Sequence, residues 1–120
     1  MIDARVLVVE DDSLVAMMVE DMLADIGCGA VTVAGTVAEA LARVEAGGFD
    51  FALLDINVGG EPVFPVAQAL RGKGIAFAFA SGYGAMGLPE DFRAAPTVAK
   101  PFRHDDLEAA IVAGVRQNPS

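Results

Sequence analysis

The sequence predicts a doubly wound α/β domain, in which a parallel sheet carries helices on both faces. Short apolar runs alternate with segments of helical periodicity, and together they give five strands and five helical segments. Several of the apolar runs end directly in carboxylate, hydroxyl or ammonium side chains. Because the carboxyl ends of parallel strands share one edge of a sheet, where ligands bind, the pattern predicts a site as well as a fold.

The strands are identified from short apolar runs bounded by turn residues. The runs are rich in valine, leucine, alanine and phenylalanine, which is typical of strands buried on both faces. The predicted strands cover residues 5–9, 30–34, 51–55, 75–80 and 96–99. The third run ends in Asp55, and a glycine-rich loop with Gly59 and Gly60 follows it through Glu61. A single carboxylate at the end of a buried strand makes Asp55 the first candidate for a functional residue.

The first two helices are identified from helical spacing and from capping residues. Apolar residues recur at helical spacing from Leu14 to Ile26, and Gly27 supplies a C-terminal stop. Thr36 and Glu39 form a capping box, which predicts the start of the second helix. Both helices lie between predicted strands, so they are the crossover connections that a parallel sheet requires.

The later helices have weaker sequence signals. A third helix is predicted near residues 65–72, with a proline at its start. A glycine and a proline interrupt residues 85–95, so the fourth helix is expected to be short or irregular. The last helix carries Asp105 and Asp106 in its first turn, where acids are favoured by the helix dipole. Residues 117–120 are expected to form a loose tail.

Composition and charge exclude several classes of partner. The formal net charge of −9, with eight Lys and Arg residues dispersed singly, argues against a nucleic-acid surface. Cys28 is the only cysteine, so an intramolecular disulfide is impossible and a reducing compartment is favoured. We find no signal segment and no apolar run of membrane-spanning length. A single domain over residues 1–120, in the cytoplasm and without contacts to nucleic acid or membrane, is therefore expected.

Polar residues with complementary chemistry follow four of the predicted strands. In chain order they are Glu10 and Asp11, Asp55, Ser81 and Lys100. Carboxylates gathered at one edge repel one another unless a hard cation such as Mg²⁺ and a fixed positive side chain neutralise them. Asp12 or Ser13 is expected to be the N-cap of the first helix, so ligand roles are assigned only to Glu10 and Asp11. The sequence thus predicts a divalent cation site beside a lysine.

With these residues in this order, the chain resembles the receiver domain of bacterial two-component response regulators over essentially its whole length. The resemblance rests on Val9-Glu10-Asp11-Asp12, Leu54-Asp55, Ala80-Ser81-Gly82 and Lys100-Pro101-Phe102. It implies a flavodoxin-like sheet with strand order 2-1-3-4-5. It also implies a stand-alone phosphoacceptor without an output domain, which takes a phosphoryl group from a histidine kinase or a histidine phosphotransfer protein. Such a protein assists its own phosphorylation and dephosphorylation but is not an enzyme.

The resemblance implies that Asp55 attacks the phosphorus of a phosphohistidine and becomes an acyl phosphate. Asp11 and Asp55 would bind Mg²⁺ directly, the backbone carbonyl of Asn57 would add a third oxygen, and Glu10 would act through a metal-bound water. Asn57 and Tyr83 would flank the path of the hydrolytic water and tune the lifetime of the phosphate.

The resemblance implies roles for the remaining residues as well. Lys100 would pair with Asp55 before phosphorylation and would contact a phosphoryl oxygen afterwards. Ser81 would donate its hydroxyl to another phosphoryl oxygen, and Gly82 would leave room for the group to enter. Pro101 is expected to follow a cis peptide bond, which would fix the approach of the lysine.

Thr97 departs from the pattern of most receivers, which carry an aromatic switch residue three positions before the lysine. The run Phe79-Ala80-Ser81-Gly82-Tyr83 resembles a subgroup named for a Phe-Ala-Thr-Gly-(Tyr or Phe) motif, which lacks this switch and often consists of single-domain regulators. We therefore hypothesise that the signal passes into residues 82–87 and the last helix. A downstream protein would bind the surface of the fourth helix, fifth strand and last helix, and the chain would be a monomer or weak homodimer.

Two other functions remain open from the sequence. The first is a small Mg-dependent aspartyl-phosphate phosphatase, but such enzymes usually place a second aspartate where Asn57 stands. The second is a non-phosphorylated pseudo-receiver or nucleotide-binding module. Against nucleotide binding, acids occupy the first strand-to-helix turn, where a glycine-rich phosphate cradle would lie.

Overall fold

The main sheet contains five parallel strands with helices on both faces. The structure, a computed structural model, describes residues 3–82 and 88–117. The strands are β1 Arg5–Val9, β2 Ala30–Ala34, β3 Phe51–Asp55, β4 Asn57–Val58, β5 Glu61–Pro62, β6 Ala76–Ser81 and β7 Thr97–Ala99. The helices are α1 Ser13–Ile26, α2 Val37–Ala46, α3 Phe64–Gly72 and α4 His104–Gln117, with a 3-10 turn at Glu90–Phe92.

The strand order confirms the predicted doubly wound topology. The main sheet runs β2-β1-β3-β6-β7, and every neighbouring pair in it is parallel. When its five strands are counted in chain order, this is the predicted order 2-1-3-4-5. The chain winds in one direction from β1 to β2 and in the other from β3 to β7. The switch point therefore lies between β1 and β3, where open sheets of this kind place their ligands.

Two hydrophobic cores form because side chains alternate across each strand. Leu7, Val9 and Leu54 point to the core beneath α2 and α3, and Val8 and Leu53 point to the core beneath α1 and α4. All five are at most 3% exposed, since helices cover both faces of the sheet. This burial fixes the strand register and, with it, the position of the polar residues at the strand ends.

Helix α4 approaches the sheet closely at Gly114. A Cβ added there would lie 2.7 Å from Cδ1 of Phe51 and 3.0 Å from Cβ of Ala76. Real Cβ atoms do not approach ring carbons this closely, so a larger residue would push α4 away from the starts of β3 and β6. Glycine at this position thus keeps the helix seated on the sheet.

The capping predictions are confirmed. Asp12 is the N-cap of α1, and its side chain accepts hydrogen bonds from the backbone N–H groups of Leu14 and Val15. Thr36 Oγ1 accepts from the N–H of Glu39 at 3.0 Å, which starts α2. The Glu39 side chain reaches back and accepts from the N–H of Gly35 at 2.8 Å, one residue before the cap.

The segment after β3 differs from the predicted loop, because β4 and β5 form a two-stranded antiparallel hairpin. Gly59 and Gly60 occupy its turn with φ values of 60° and 81°. Positive φ at both central positions is the requirement of the tight turns that join antiparallel strands, and glycine meets it without strain. The dipeptide that predicted a loop is therefore the centre of a hairpin, which we call the β4–β5 hairpin.

The region predicted as a short fourth helix is only partly described. Its described part contains one 3-10 turn, Glu90–Phe92, which agrees with the expectation of irregular structure. Residues 83–87 lie outside the described residues, as do residues 118–120 of the predicted tail. Residue 117, the first of that predicted tail, still belongs to α4. No helix in the described ranges has the length and apolar character needed to cross a membrane.

Candidate functional site

Three carboxylates meet at the switch point between β1 and β3. Val9 at the end of β1 pairs with Leu54 in β3, so the next residue of each segment, Glu10 and Asp55, is brought to the same place. One oxygen from each of Glu10, Asp11 and Asp55 lies within 4.8 Å of the others. Carboxylate oxygens at this spacing are the donor set that Mg²⁺ prefers, so the residues fit the predicted divalent ion.

Lys100 reaches this cluster from the far side of β6. Its Nζ donates a hydrogen bond to Oδ1 of Asp55 at 3.0 Å and lies 3.7 Å from Oε1 of Glu10. The backbone N–H of Lys100 donates to the carbonyl of Ser81 at 3.2 Å, which extends the pairing of β7 with β6. The Lys100–Pro101 peptide is cis, as predicted. Lys100 and Asp55 are therefore joined by a charge-assisted hydrogen bond across the edge of the sheet.

Glu10 is the buried member of the cluster, with 6% of its surface exposed. Its Oε2 accepts a hydrogen bond from the N–H of Asp12 at 3.0 Å. Burial raises the pKa of Glu10 above its usual value, and the negative charge of Asp55 acts in the same direction, while the Asp12 N–H and Lys100 oppose the shift. The fold thus disfavours the ionised form of Glu10.

Asp11, the next residue, has the opposite environment. Its side chain is exposed, and its Oδ2 accepts a hydrogen bond from the backbone N–H of Gly59 at 2.9 Å. This hydrogen bond is the main reason why the pKa of Asp11 lies below its usual value. Glu10 and Asp11 therefore differ in burial and in the direction in which their pKa values are shifted.

A cleft of about 330 Å³ opens beside Asp55. It is lined by Asp55, Ile56, Asn57, Ala80, Ser81, Gly82 and Lys100. Ser81 is buried at the end of β6, and a Cβ placed on Gly82 would meet nothing within 4 Å. The structure thus brings seven of the residues singled out from the sequence to one edge of the sheet, in the acidic cluster, at Lys100 or along the cleft.

Two other residues singled out from the sequence are not part of this cleft. Thr97 lies in β7, where it is exposed and pairs with Phe79 in β6, so it does not reach the lining of the cleft. Pro101 is exposed beside Lys100. Tyr83 lies outside the described residues.

Two backbone contacts at the site were not predicted from the sequence. The N–H of Ile56 donates to Oδ1 of Asp55 at 3.0 Å, and the N–H of Gly59 donates to Asp11 as described above. The Gly59-Gly60 dipeptide signals a tight turn. It gives no sign that the turn contacts a residue 48 positions earlier in the chain.

The fold and site together define an α/β domain. At its switch point lie a cluster of carboxylates that fits a divalent cation, an aspartate at the end of a strand, and a lysine. The chain belongs to the response regulator receiver domain family of two-component signalling, whose model matches residues 6–112. No curated protein matches the chain.

Solved structures extend this comparison. SdrG from Sphingomonas melonis Fr1 is 44% identical, with a TM-score of 0.81 and coverage of 93% of this chain and 96% of that one. The BeF3-activated conformation of SdrG from Pseudomonas melonis Fr1 is 45% identical, with a TM-score of 0.78 and coverage of 92% and 95%. The receiver domain of PhyR from Erythrobacter litoralis, at 24% identity, TM-score 0.83 and coverage of 98% and 94%, shares the fold.

Proposed function

We propose that this receiver domain accepts a phosphoryl group on Asp55 from a phosphohistidine and signals through protein contacts in a phosphorelay. The observation that carries this proposal is the pairing of Asp55 with Lys100 at 3.0 Å beside an open cleft. The side chain of Asp55 is 18% exposed, so an incoming donor can reach it. A lone carboxylate with an ammonium group at hydrogen-bond distance suits a nucleophile whose product gains negative charge.

The proposed transfer balances without a further reactant. A carboxylate oxygen of Asp55 forms a bond to phosphorus, and the P–N bond of the phosphohistidine breaks with its electron pair going to the imidazole nitrogen. Lys100 moves its hydrogen bond from Asp55 to a phosphoryl oxygen. Ser81 donates its hydroxyl to a second oxygen, and the open space beside Gly82 admits the group.

Glu10, Asp11, Asp55 and the backbone carbonyl of Asn57 are the proposed Mg²⁺ ligands, with Glu10 acting through water. When bound, the ion neutralises charge on the phosphoryl oxygens. The three carboxylates within 4.8 Å of one another support this assignment. The burial of Glu10 keeps one of the acids from turning to solvent, so the donor set is held together before the ion arrives.

The phosphodonor is a histidine kinase or a histidine phosphotransfer protein in this proposal. Leu14, Met17 and Met18 are 76%, 60% and 45% exposed at the start of α1, immediately after the acidic cluster. Exposed apolar side chains beside a reaction site offer a contact surface to a protein donor. A downstream partner would bind the surface made by the fourth helical segment, β7 and α4, although part of that segment lies outside the described residues.

The chain is proposed to work in the cytoplasm as a single receiver domain over residues 1–120, as a monomer or weak homodimer, without contacts to nucleic acid. It is proposed to be a phosphoacceptor rather than a turnover enzyme. In support, the residue two positions after Asp55 is Asn57, which cannot supply the second carboxylate of an aspartyl-phosphate phosphatase.

The test is phosphorylation of the purified chain by a phosphorylated histidine kinase, or by phosphoramidate, in the presence of Mg²⁺. We expect one phosphoryl group per chain on Asp55, found by intact mass and peptide mapping. The variant Asp55→Ala should lose the label, and Asp105→Ala, which removes an exposed carboxylate from α4, should keep it. Acid-labile label that persists in Asp55→Ala would overturn the assignment.

The same assay distinguishes the other two functions. Rapid release of phosphate from unrelated monoesters would indicate a phosphatase, and the absence of both label and turnover would indicate a pseudo-receiver. SdrG has a BeF3-activated conformation, so BeF3 is the phosphoryl mimic to apply here. Backbone NMR with and without BeF3 should show shifts in residues 82–87 and α4; unchanged spectra would contradict the proposed route of the signal.

A further inference from the structure

A backbone N–H of the β4–β5 hairpin contacts the acidic cluster of Glu10, Asp11 and Asp55. The N–H of Gly59, at the tip of the hairpin, donates to Oδ2 of Asp11 at 2.9 Å. We propose that Gly59 is a positioning residue that holds the Asp11 carboxylate in the cluster, so that the conformation of the hairpin sets the affinity for divalent cations. This inference rests on the proposed function, because it concerns the same Mg²⁺ site.

Asp11 needs such a restraint because its neighbours repel it. It is an exposed side chain within 4.8 Å, oxygen to oxygen, of both Glu10 and Asp55. Like charges at this distance favour rotamers that turn Asp11 toward water. A charge-assisted hydrogen bond from Gly59 opposes that rotation. Because a carboxylate has two oxygens, the one not held by Gly59 remains available to a cation.

The hairpin is anchored firmly enough to place its tip. Val58, directly before the turn, is 1% exposed in the core beneath α2 and α3. At the base of the hairpin, the N–H of Val63 donates to the carbonyl of Ile56 at 2.8 Å. Val58 also pairs with Glu61 across the two strands. With its base and one strand fixed, the direction of the Gly59 N–H depends on the turn itself.

The turn can be altered at Gly59 without a steric clash. Gly59 has φ of +60°, and a Cβ built on it would meet nothing within 4 Å. Asparagine tolerates this left-handed conformation and is favoured at such turn positions, whereas β-branched valine is strongly disfavoured there. Gly59→Asn should therefore keep the hairpin and Gly59→Val should distort it. Gly74→Val is a matched control, since Gly74 has φ of +72°, equally open surroundings and a position before β6.

The experiment titrates Mg²⁺ into the full chain and follows amide shifts by NMR for the parent and the three variants. Gly59→Val is expected to bind Mg²⁺ about tenfold more weakly, the size of effect seen when groups that orient metal ligands are lost. Gly59→Asn and Gly74→Val are expected to retain the parental affinity. In the parent without Mg²⁺, the Gly59 amide should exchange slowly, and Asp11→Ala should make this exchange fast.

A double-mutant cycle separates the effect on Asp11 from an effect on Asn57, which lies in the same hairpin. If Gly59 acts through Asp11, Gly59→Val should weaken Mg²⁺ binding much less in the Asp11→Ala background. A full effect in that background, parental affinity in Gly59→Val, or an equal loss in Gly74→Val would each overturn the inference. If the parent itself does not bind Mg²⁺, the proposed cation site fails first and the role of Gly59 fails with it.

Discussion

Strand β6 contributes to two regions with opposite energetics. Phe77, Phe79 and Ser81 are every second residue of the strand, so their side chains lie on the same side of it. The two phenylalanines form an aromatic cluster with Phe64 and Phe92. The centroid of the Phe79 ring lies 5.5 to 5.8 Å from the centroids of the other three rings. Ser81, two residues further on, lines the cleft beside Asp55. The same strand thus supports both a part of the core and a part of the site.

The two regions are held together in different ways. The rings of the aromatic cluster attract one another in edge and stacked arrangements and exclude water, so the cluster stabilises the fold. Arg71 adds to it, with its guanidinium carbon 4.4 Å from the centre of the Phe92 ring. The carboxylates of the site repel one another and depend on Lys100 and the surrounding backbone. Substitutions in the cluster should therefore reduce stability, whereas substitutions in the site should change function at little cost in stability.

The largest expected effect is that of Phe79→Ala. Phe79 is fully buried and contacts three other rings, so its removal leaves a cavity in the core. We expect a loss of about 3–5 kcal/mol in the free energy of unfolding, measured by urea denaturation. Phe79→Leu leaves a smaller cavity and should lose less. A loss for Phe79→Ala no greater than that for Asp55→Ala would contradict the contrast between the two regions.

Binding of Mg²⁺ at the site should stabilise the folded chain by a smaller amount. An ion that binds only the folded chain stabilises it, by about 1.4 kcal/mol at a tenfold excess over Kd. Urea denaturation with and without Mg²⁺ should show this gain for the parent. It should be largely lost in Asp55→Asn, which removes one of the three carboxylates, and retained in Phe79→Leu. Equal stabilisation of Asp55→Asn would place the ion elsewhere.

Sequence patterns were sufficient to predict the fold and the edge that carries the site. Parallel strands share one edge, so residues that follow strand ends come together even when they are far apart in the chain. For this reason the contact between Asp55 and Lys100, 45 residues apart, could be anticipated without knowing any distance. Both helix caps followed from equally local rules, whereas the strand order followed from the resemblance to receiver domains.

The environment of each acid depended on tertiary contacts and was beyond local rules. Glu10 continues β1 by one residue, because its N–H donates to the carbonyl of Ala34 at 3.0 Å, and it stays buried. Asp11 lies beyond the sheet and is exposed. Its hydrogen bond with Gly59 forms only when the hairpin has folded, because the two residues are 48 positions apart in the chain. The aromatic cluster was likewise unpredicted, since Phe92 falls in the segment with the weakest sequence signal.

The smallest expected effect is the pH dependence that Glu10 confers on stability. Burial raises its pKa in the folded chain above the usual 4.5, so the folded state binds this proton more tightly than the unfolded state. The resulting stability is fully present below pH 4.5 and is lost as pH rises through the folded pKa. In Glu10→Gln the group no longer titrates, while the amide oxygen can still accept from the N–H of Asp12.

The urea midpoints of the parent and of Glu10→Gln should be compared across a pH series without divalent ions. The difference between the two midpoints should increase as pH rises above 4.5, and Glu10→Gln should be the more stable protein near neutral pH. Glu108→Gln removes an exposed carboxylate from α4 and controls for the loss of one negative charge. If Glu10→Gln is instead less stable than the parent near neutral pH, the attraction of Lys100 outweighs the cost of burying Glu10. The contrast between an aromatic cluster that stabilises the fold and carboxylates that destabilise it would then hold for Asp11 and Asp55 but not for Glu10.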